Sequence, residues 1–157
     1  MPFRFGKKSE AALVTCDPDI QVVLREGIKT YDFTVLGGFR SPAEQFRIFK
    51  VGRELVRGKW IVRDKGKILT WLDGFEKISE HNIEPAEAVD VAPYPIDWKK
   101  LERFVFLAGF LVGLSRRLKA EGRIGRALGW GGDFDRDLDL DDQELKDYDH
   151  LFLIKGE

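Results

Sequence analysis

The 157-residue chain contains two histidines, His81 and His150, and each sits among carboxylates in a segment marked by proline or glycine. Neutral imidazole nitrogens and carboxylate oxygens both bind Zn²⁺ well, and a catalytic zinc needs three protein ligands with a fourth position left for water. Asp90 follows His81 by nine residues at the edge of the apolar run Ala88-Val89-Asp90-Val91. The Pro85 turn can bring loop and strand together, so His81, Asp90 and His150 form a candidate ligand set. On spacing alone, a purely structural role for these three residues fits as well as a zinc site.

A second cluster is acidic. Asp133, Asp135, Asp137, Asp139, Asp141 and Glu144 fall on positions 1, 3, 5, 7, 9 and 12 of a twelve-residue calcium loop. In that register side-chain oxygens, and a backbone carbonyl at position 7, surround one Ca²⁺ while Leu140 at position 8 turns into the core. Leu138 stands at position 6, where glycine normally makes the sharp turn, and no flanking helix pair is evident. The competing reading is a solvated acidic loop.

These residues need elements to hold them. Asp17-Pro18 reads as a capped helix start, with the helix running to about Ile28, and Phe33 to Gly38 as a short buried strand stopped by paired glycines. Ser41-Pro42-Ala43-Glu44 is a capping box that starts the next helix. Residues 58 to 80 show no clean period and are expected to form a long loop or a loose hairpin. Ala88 to Val91 reads as a strand. Asp97 is expected to cap a helix from Trp98 to about Ala120, with Leu101, Phe104, Val105, Ala108, Leu111, Val112 and Leu118 inward and Gly109 and Gly113 allowing close packing. A glycine-rich turn (Gly129, Gly131, Gly132), the acidic loop and a last strand, His150 to Ile154, complete the chain. The mixture predicts an α+β fold, a small and mainly antiparallel sheet packed by helices, with the zinc site in a cleft beside the sheet.

Composition narrows the function classes. With 43% hydrophobic and 34% charged residues the chain is ordinary for a globular protein, and its length suits a single domain over residues 1 to 157. The longest apolar run, Phe104 to Leu114, is too short for a membrane-spanning helix, so no membrane insertion is expected. MPFRFGKKSE lacks an apolar h-region, which predicts synthesis without a secretory signal. Net charge is −1, which argues against a nucleic-acid partner, yet the charge is uneven. Residues 1 to 70 carry 14 Lys/Arg against 8 Asp/Glu, whereas residues 133 to 157 carry 3 against 10. The basic half favours an anionic polymer. Cys16 has no partner thiol and is assigned no chemistry. Trp71, Trp98 and Trp130 could line a cleft, but core packing is the default for tryptophan and all three are left out of the site, while Gln45 is assigned to support.

Four stretches, GGFRSPAEQ (37 to 45), SEHNIEPAEAVDVAPYPIDW (79 to 98), GWGGDFD (129 to 135) and DYDH (147 to 150), together resemble the phage L-alanyl-D-glutamate peptidases, endolysins related to the bacterial D-alanyl-D-alanine carboxypeptidases. The resemblance implies zinc held by His81, Asp90 and His150, with Ser79 in the Ser-x-His element and beside the substrate. It implies Asp147 as the general base and Arg40 as the group that holds a substrate carboxylate or carbonyl. Asp149 competes with Asp147, but on a strand it would point away from His150, and the family usually has proline there. Leu151 and Phe152 also depart from the family's Phe-Glu-Leu. The implied activity is zinc-dependent hydrolysis of the peptidoglycan stem peptide at the L-alanyl-D-glutamate bond, by a monomer made in the host cytoplasm and released to the cell wall through a separate membrane pore. A D,D- or L,D-carboxypeptidase on the same scaffold, and a non-catalytic metal-binding domain of cell-wall or virion type, are the alternatives.

Overall fold

The computed structural model describes residues 1–156. In chain order the elements are α1 (Lys7–Leu13), α2 (Pro18–Gly27), β1 (Phe33–Gly37), α3 (Pro42–Phe49), β2 (Arg53–Val56), β3 (Lys59–Val62), β4 (Ala88–Pro93), α4 (Leu101–Ala120), β5 (Leu128–Trp130) and β6 (His150–Leu153). Short 3₁₀ turns lie at Lys65–Lys67 and Glu80–Asn82. Four strands make one sheet in the order β1-β4-β6-β5, every pairing antiparallel, and β2 pairs with β3 as a separate hairpin. The α+β architecture with a small antiparallel sheet is the expected one.

Period-two alternation separates the two faces of the sheet. Val89 and Val91 of β4, Leu151 and Leu153 of β6, and Leu128 and Trp130 of β5 join one buried core with Ile20, Val23 and Leu24 of α2 and Leu107, Leu111 and Leu118 of α4. Asp90 and His150, being one residue out of phase with these, face the other way and meet across the β4–β6 ladder, where they are direct partners. The alternation that buries the aliphatics is therefore what gathers the polar residues.

Local chemistry explains most of the element boundaries. Asp17 accepts from Asp19 N at 2.9 Å ahead of Pro18, and Ser41 and Glu44 complete the capping box around Pro42, each cap contributing about 1 kcal/mol. The hairpin turns on Arg57 and Gly58, both at positive φ, the backbone that matches the twist of two paired strands. It occupies residues 53–62, earlier than the expected loose segment at 58 to 80, whose later part is the irregular wall described below.

Other expectations change. Asp97 does not cap the long helix: it closes a turn on Lys99 N at 3.0 Å, and α4 starts at Leu101 with no side-chain cap. The buried stripe is Phe104, Leu107, Ala108, Leu111, Ser115 and Leu118, whereas Leu101 and Val105 are exposed and Val112 is half-buried. Ser115 earns its place by linking elements, donating to Val112 O at 2.8 Å and accepting from Leu128 N of β5 at 2.9 Å. Gly109 and Gly113 face open space, and the close approach to α4 is made by Gly27 of α2, where a Cβ would stand 2.7 Å from Leu111. Gly129 lies in β5 and not in a turn; a Cβ there would meet the Phe152 ring at 2.5 Å. Trp98 is exposed, stacked on buried Phe104 with ring centroids 5.1 Å apart, while Trp130 is in the core as expected.

Candidate metal centre and catalytic cleft

His81 sits in the 3₁₀ turn Glu80–Asn82, which Ser79 caps by accepting from His81 N at 3.3 Å. Asn82 ties this turn to the link between β1 and α3 by donating to Arg40 O at 2.8 Å, and Arg40 N donates to His81 O at 2.8 Å. The His81 ring is 2.7 Å from Gly38 O through Nδ1. A carbonyl can only accept, so Nδ1 carries the hydrogen and Nε2 turns a lone pair toward the sheet. Gly38 reaches this position because it has no side chain: a Cβ would stand 2.4 Å from Thr15 Oγ1 and 2.6 Å from Ala12 O.

His81 Nε2, Asp90 Oδ1 and His150 Nδ1 form a triangle with sides of 3.2, 3.2 and 3.3 Å. With both imidazoles neutral, lone pairs converge there, and a proton or a cation is needed to hold them together. The donor set is nitrogen, nitrogen and oxygen, all within 4.8 Å of one another, and both histidines are buried. Burial works to raise the Asp90 carboxyl, but the hydrogen bonds of His150 and His81, with the positive charge these rings carry when protonated, outweigh it and hold Asp90 well below the usual carboxylate range. Its second oxygen accepts from Arg40 Nη2 at 3.1 Å. The other Arg40 nitrogen, Nη1, donates to Gln45 Oε1 at 2.9 Å, and Gln45, almost fully buried, donates onward to Leu72 O at 2.9 Å. Gln45 is thus the supporting residue expected of it. Arg40 orients a candidate ligand, a job its role as substrate clamp did not foresee.

The triangle opens into a cleft of about 560 Å³ whose lining includes Trp71, Leu72, Gln143, Glu144, Asp147 and Asp149. Ser79 lines it too, although its buried hydroxyl is committed to the His81 turn. A second groove of about 350 Å³ runs past Gly37, Phe39 and Arg47 and shares Arg40, Ile48, Asp90 and Asp149 with the first. Asp147 is half-buried in the turn before β6. Burial, a hydrogen bond with the Asp149 carboxyl, and the charges of Asp149 and Asp90 raise its proton affinity well above the ordinary carboxylate range, against the pull of Arg40. β6 begins only at His150, so the strand alternation expected to turn Asp149 away does not reach back to it, and Asp149 lines the cleft with Asp147. Gly131 makes room for this turn; a Cβ there would lie 2.5 Å from Asp147 O and 3.0 Å from the His150 Cβ.

Phe134 and His150 line the cleft and join Phe152 in an aromatic file, with centroids 5.7 Å apart for Phe134–Phe152 and 5.9 Å for His150–Phe152. Phe152 was noted in the sequence as a departure from the family pattern and Phe134 only as part of the GWGGDFD stretch; neither was assigned a role in the site. Trp71 was assigned to the core, yet it lines the cleft, with Nε1 buried and unpartnered and Arg53 stacked 5.1 Å from its ring.

The acidic loop gathers only part of its set. Asp133, Asp135 and Asp137 bring carboxylate oxygens within 4.8 Å of one another; Asp139, Asp141 and Glu144 are not in that group among the described residues. Asp141 pairs with Lys146 at 3.2 Å, and Glu144 faces Lys65 at 3.9 Å. Asp133 is buried, with Oδ2 accepting from Leu138 N at 3.3 Å and Oδ1 without a partner. Leu138, at the position expected to need glycine, does adopt the left-handed backbone, with φ at 71°.

A family model described as phage L-alanyl-D-glutamate peptidase matches residues 1–154. The chain belongs to this family. It is 30% identical over 139 residues to the L-alanyl-D-glutamate peptidase of Escherichia phage T5, covering 85% of this chain and 88% of that protein. The crystal structure of Serratia marcescens L-Ala D-Glu endopeptidase ChiX shares the fold, with a TM-score of 0.60 and 23% identity over 98% of this chain and 91% of that one. Membership makes the protein a peptidoglycan peptidase by kind. No described helix of this family member is long and apolar enough to cross a membrane.

Proposed function

We propose that the protein is a zinc-dependent endopeptidase that cuts the peptidoglycan stem peptide between L-alanine and D-glutamate to lyse the host cell wall, with His81, Asp90 and His150 as zinc ligands. The observation that carries this reading is the donor triangle at the head of the cleft. A tetrahedral centre with bonds of about 2.0–2.1 Å has edges of about 3.3–3.4 Å, and the three donor atoms stand 3.2 to 3.3 Å apart. Gly38 O on the far nitrogen of His81 is the partner that usually fixes a ligating ring. When bound, zinc supplies Lewis acidity, polarising the scissile carbonyl and acidifying a water molecule.

The rest of the work falls to the chain. Asp147 takes the proton of the attacking water on its carboxylate and delivers it to the leaving nitrogen, and its raised proton affinity suits the second half of that task. Arg40 keeps Asp90 turned to the metal and leaves its remaining donors to the substrate. Ser79 keeps His81 in register. Because the two grooves meet at Arg40 and Asp90, a peptide can continue on both sides of the cut, which supports an endopeptidase over a carboxypeptidase.

Calcium in the acidic loop belongs to the same reading. The unpartnered buried Oδ1 of Asp133 beside Asp135 and Asp137 supports it, with the Asp139 carbonyl at position 7 and Asp141 and Glu144 swinging in to complete the shell. The test of the whole is digestion of purified peptidoglycan followed by mass spectrometry of new termini, together with metal analysis after mild dialysis. New D-glutamate amino termini and one zinc per chain, lost in His81→Ala and in His150→Ala, are expected. New termini at a terminal D-amino acid only, or undiminished zinc in either variant, would overturn it.

A further inference from the structure

The basic excess of the first half concentrates in one exposed arm. Residues 50–67 hold seven Lys/Arg against two acidic residues in a chain of net charge −1. This stretch is the β2–β3 hairpin and its flanks, exposed along almost its entire length. The arm is fixed to the body, since Phe46 of α3 packs edge-on against Trp60 at 5.8 Å and against Phe75 at 5.8 Å, and Arg53 lies 3.9 Å over the Phe49 ring. Three of its cations are matched: Arg63 with Glu54 at 2.8 Å, Lys67 with Asp64 at 3.2 Å, and Lys65 with Glu144 at 3.9 Å. Arg57 and Lys59 at the tip, and Lys50 at the root, have no ion pair among the described residues. A rigid arm with unspent positive charge at its tip, continuous with Leu69, Thr70 and Trp71 of the cleft wall, is built to meet an anion that arrives with the substrate.

We propose that the β2–β3 hairpin is a docking arm for the carboxylate-bearing peptidoglycan polymer, engaging free carboxylates of stem peptides beyond the one being cut. The proposal rests on the substrate reading above and extends it to a second contact. Repeating stem peptides present carboxylates at intervals along one molecule, so an arm beside the cleft turns later encounters into intramolecular ones. A flat anionic membrane suits the surface less well, although Leu55 and Ile61 are exposed on the hairpin. The acidic loop stands against the base of the arm at the Lys65–Glu144 contact, and a plane broad enough to cover the arm would meet it and be repelled. A polymer strand can lie along the arm and avoid that loop.

The experiment compares the parent with Arg57→Gln/Lys59→Gln, and with Arg116→Gln/Arg117→Gln as an equal loss of charge on α4, in three assays. In cosedimentation with purified sacculi at low salt, the hairpin variant should bind about ten-fold more weakly, the control should match the parent, and the difference should vanish at about 0.5 M salt. Turnover of a soluble stem-peptide fragment should be the same for all three proteins. Binding to phosphatidylglycerol vesicles should not depend on the hairpin charges. Equal sacculus binding by hairpin variant and parent, an equal loss with the control, or a loss confined to vesicles would overturn the proposal. Failure of the parent to cleave the soluble fragment would instead count against the peptidase reading, and the binding comparison would still decide the arm.

Discussion

Asp147 and Asp149, three and one residues before His150, show how two neighbouring carboxyls change each other's proton affinity. Asp147 is raised first by burial and then by the hydrogen bond and charge of Asp149. Removing that neighbour must lower its proton affinity, so Asp149→Asn should move the acidic limb of the kcat/KM profile to lower pH with the zinc content unchanged. Asp147→Asn should keep fold and zinc and lose about 10²- to 10⁴-fold in hydrolysis. Normal turnover in Asp147→Asn beside a dead Asp149→Asn would show the proton carrier to be Asp149. Cys16 gives a different pH dependence, because burial pushes its thiol up to about 12. The folded state keeps the thiol neutral while the unfolded chain ionises near about 8.5. Its contribution is therefore complete below about 8.5 and lost as pH rises toward about 12. Denaturation midpoints should fall across that window in the parent more than in Cys16→Ala, and a thiol reagent should label Cys16 only on unfolding.

Glycines mark where elements come close, and they divide into two kinds with opposite expected effects. Gly131→Ala would drive a Cβ into Asp147 O, a backbone atom, and should lower both melting temperature and zinc affinity by displacing the turn that carries Asp147 to His150. Gly109→Ala on α4 meets nothing within 4 Å and should stabilise by about 0.5–1 kcal/mol, read as a higher denaturant midpoint. An inert Gly131→Ala would mean that the turn is free to yield. The same contrast explains what could be read from sequence. Caps and alternation are local rules, so α2, β1, α3 and the strands at Ala88 and His150 were legible in Asp17-Pro18, Ser41-Pro42 and the apolar strand segments, whereas the β4–β6 ladder that sets Asp90 opposite His150 was not. Close approach depends on what the rest of the chain brings to a point. Gly129 therefore read as a turn and Gly109 as a contact, and the Gly38 carbonyl behind His81 went unseen. Trp71 was misassigned for the same reason, since no local signal separates a core tryptophan from one lining a cleft.

At the scale of the whole molecule, the acidic loop joins β5 to β6 and so bears on both the sheet and the cleft. Calcium bound only by the folded loop should raise the melting temperature and the rate of hydrolysis together. Asp135→Ala combined with Asp137→Ala should abolish both effects and leave zinc bound; identical behaviour in calcium and in a calcium-selective chelator would show the loop to be a solvated surface. The order β1-β4-β6-β5 has a further consequence for how the enzyme comes into being. The strand that carries His150 follows the other three strands of the sheet in the sequence, and its place is between two strands made before it. Until it inserts, β5 has no neighbour, the donor triangle lacks a corner, and Asp147 has no fixed position. A nascent chain is thus inert by construction, and the hydrolytic centre comes into existence in the same event that closes the sheet.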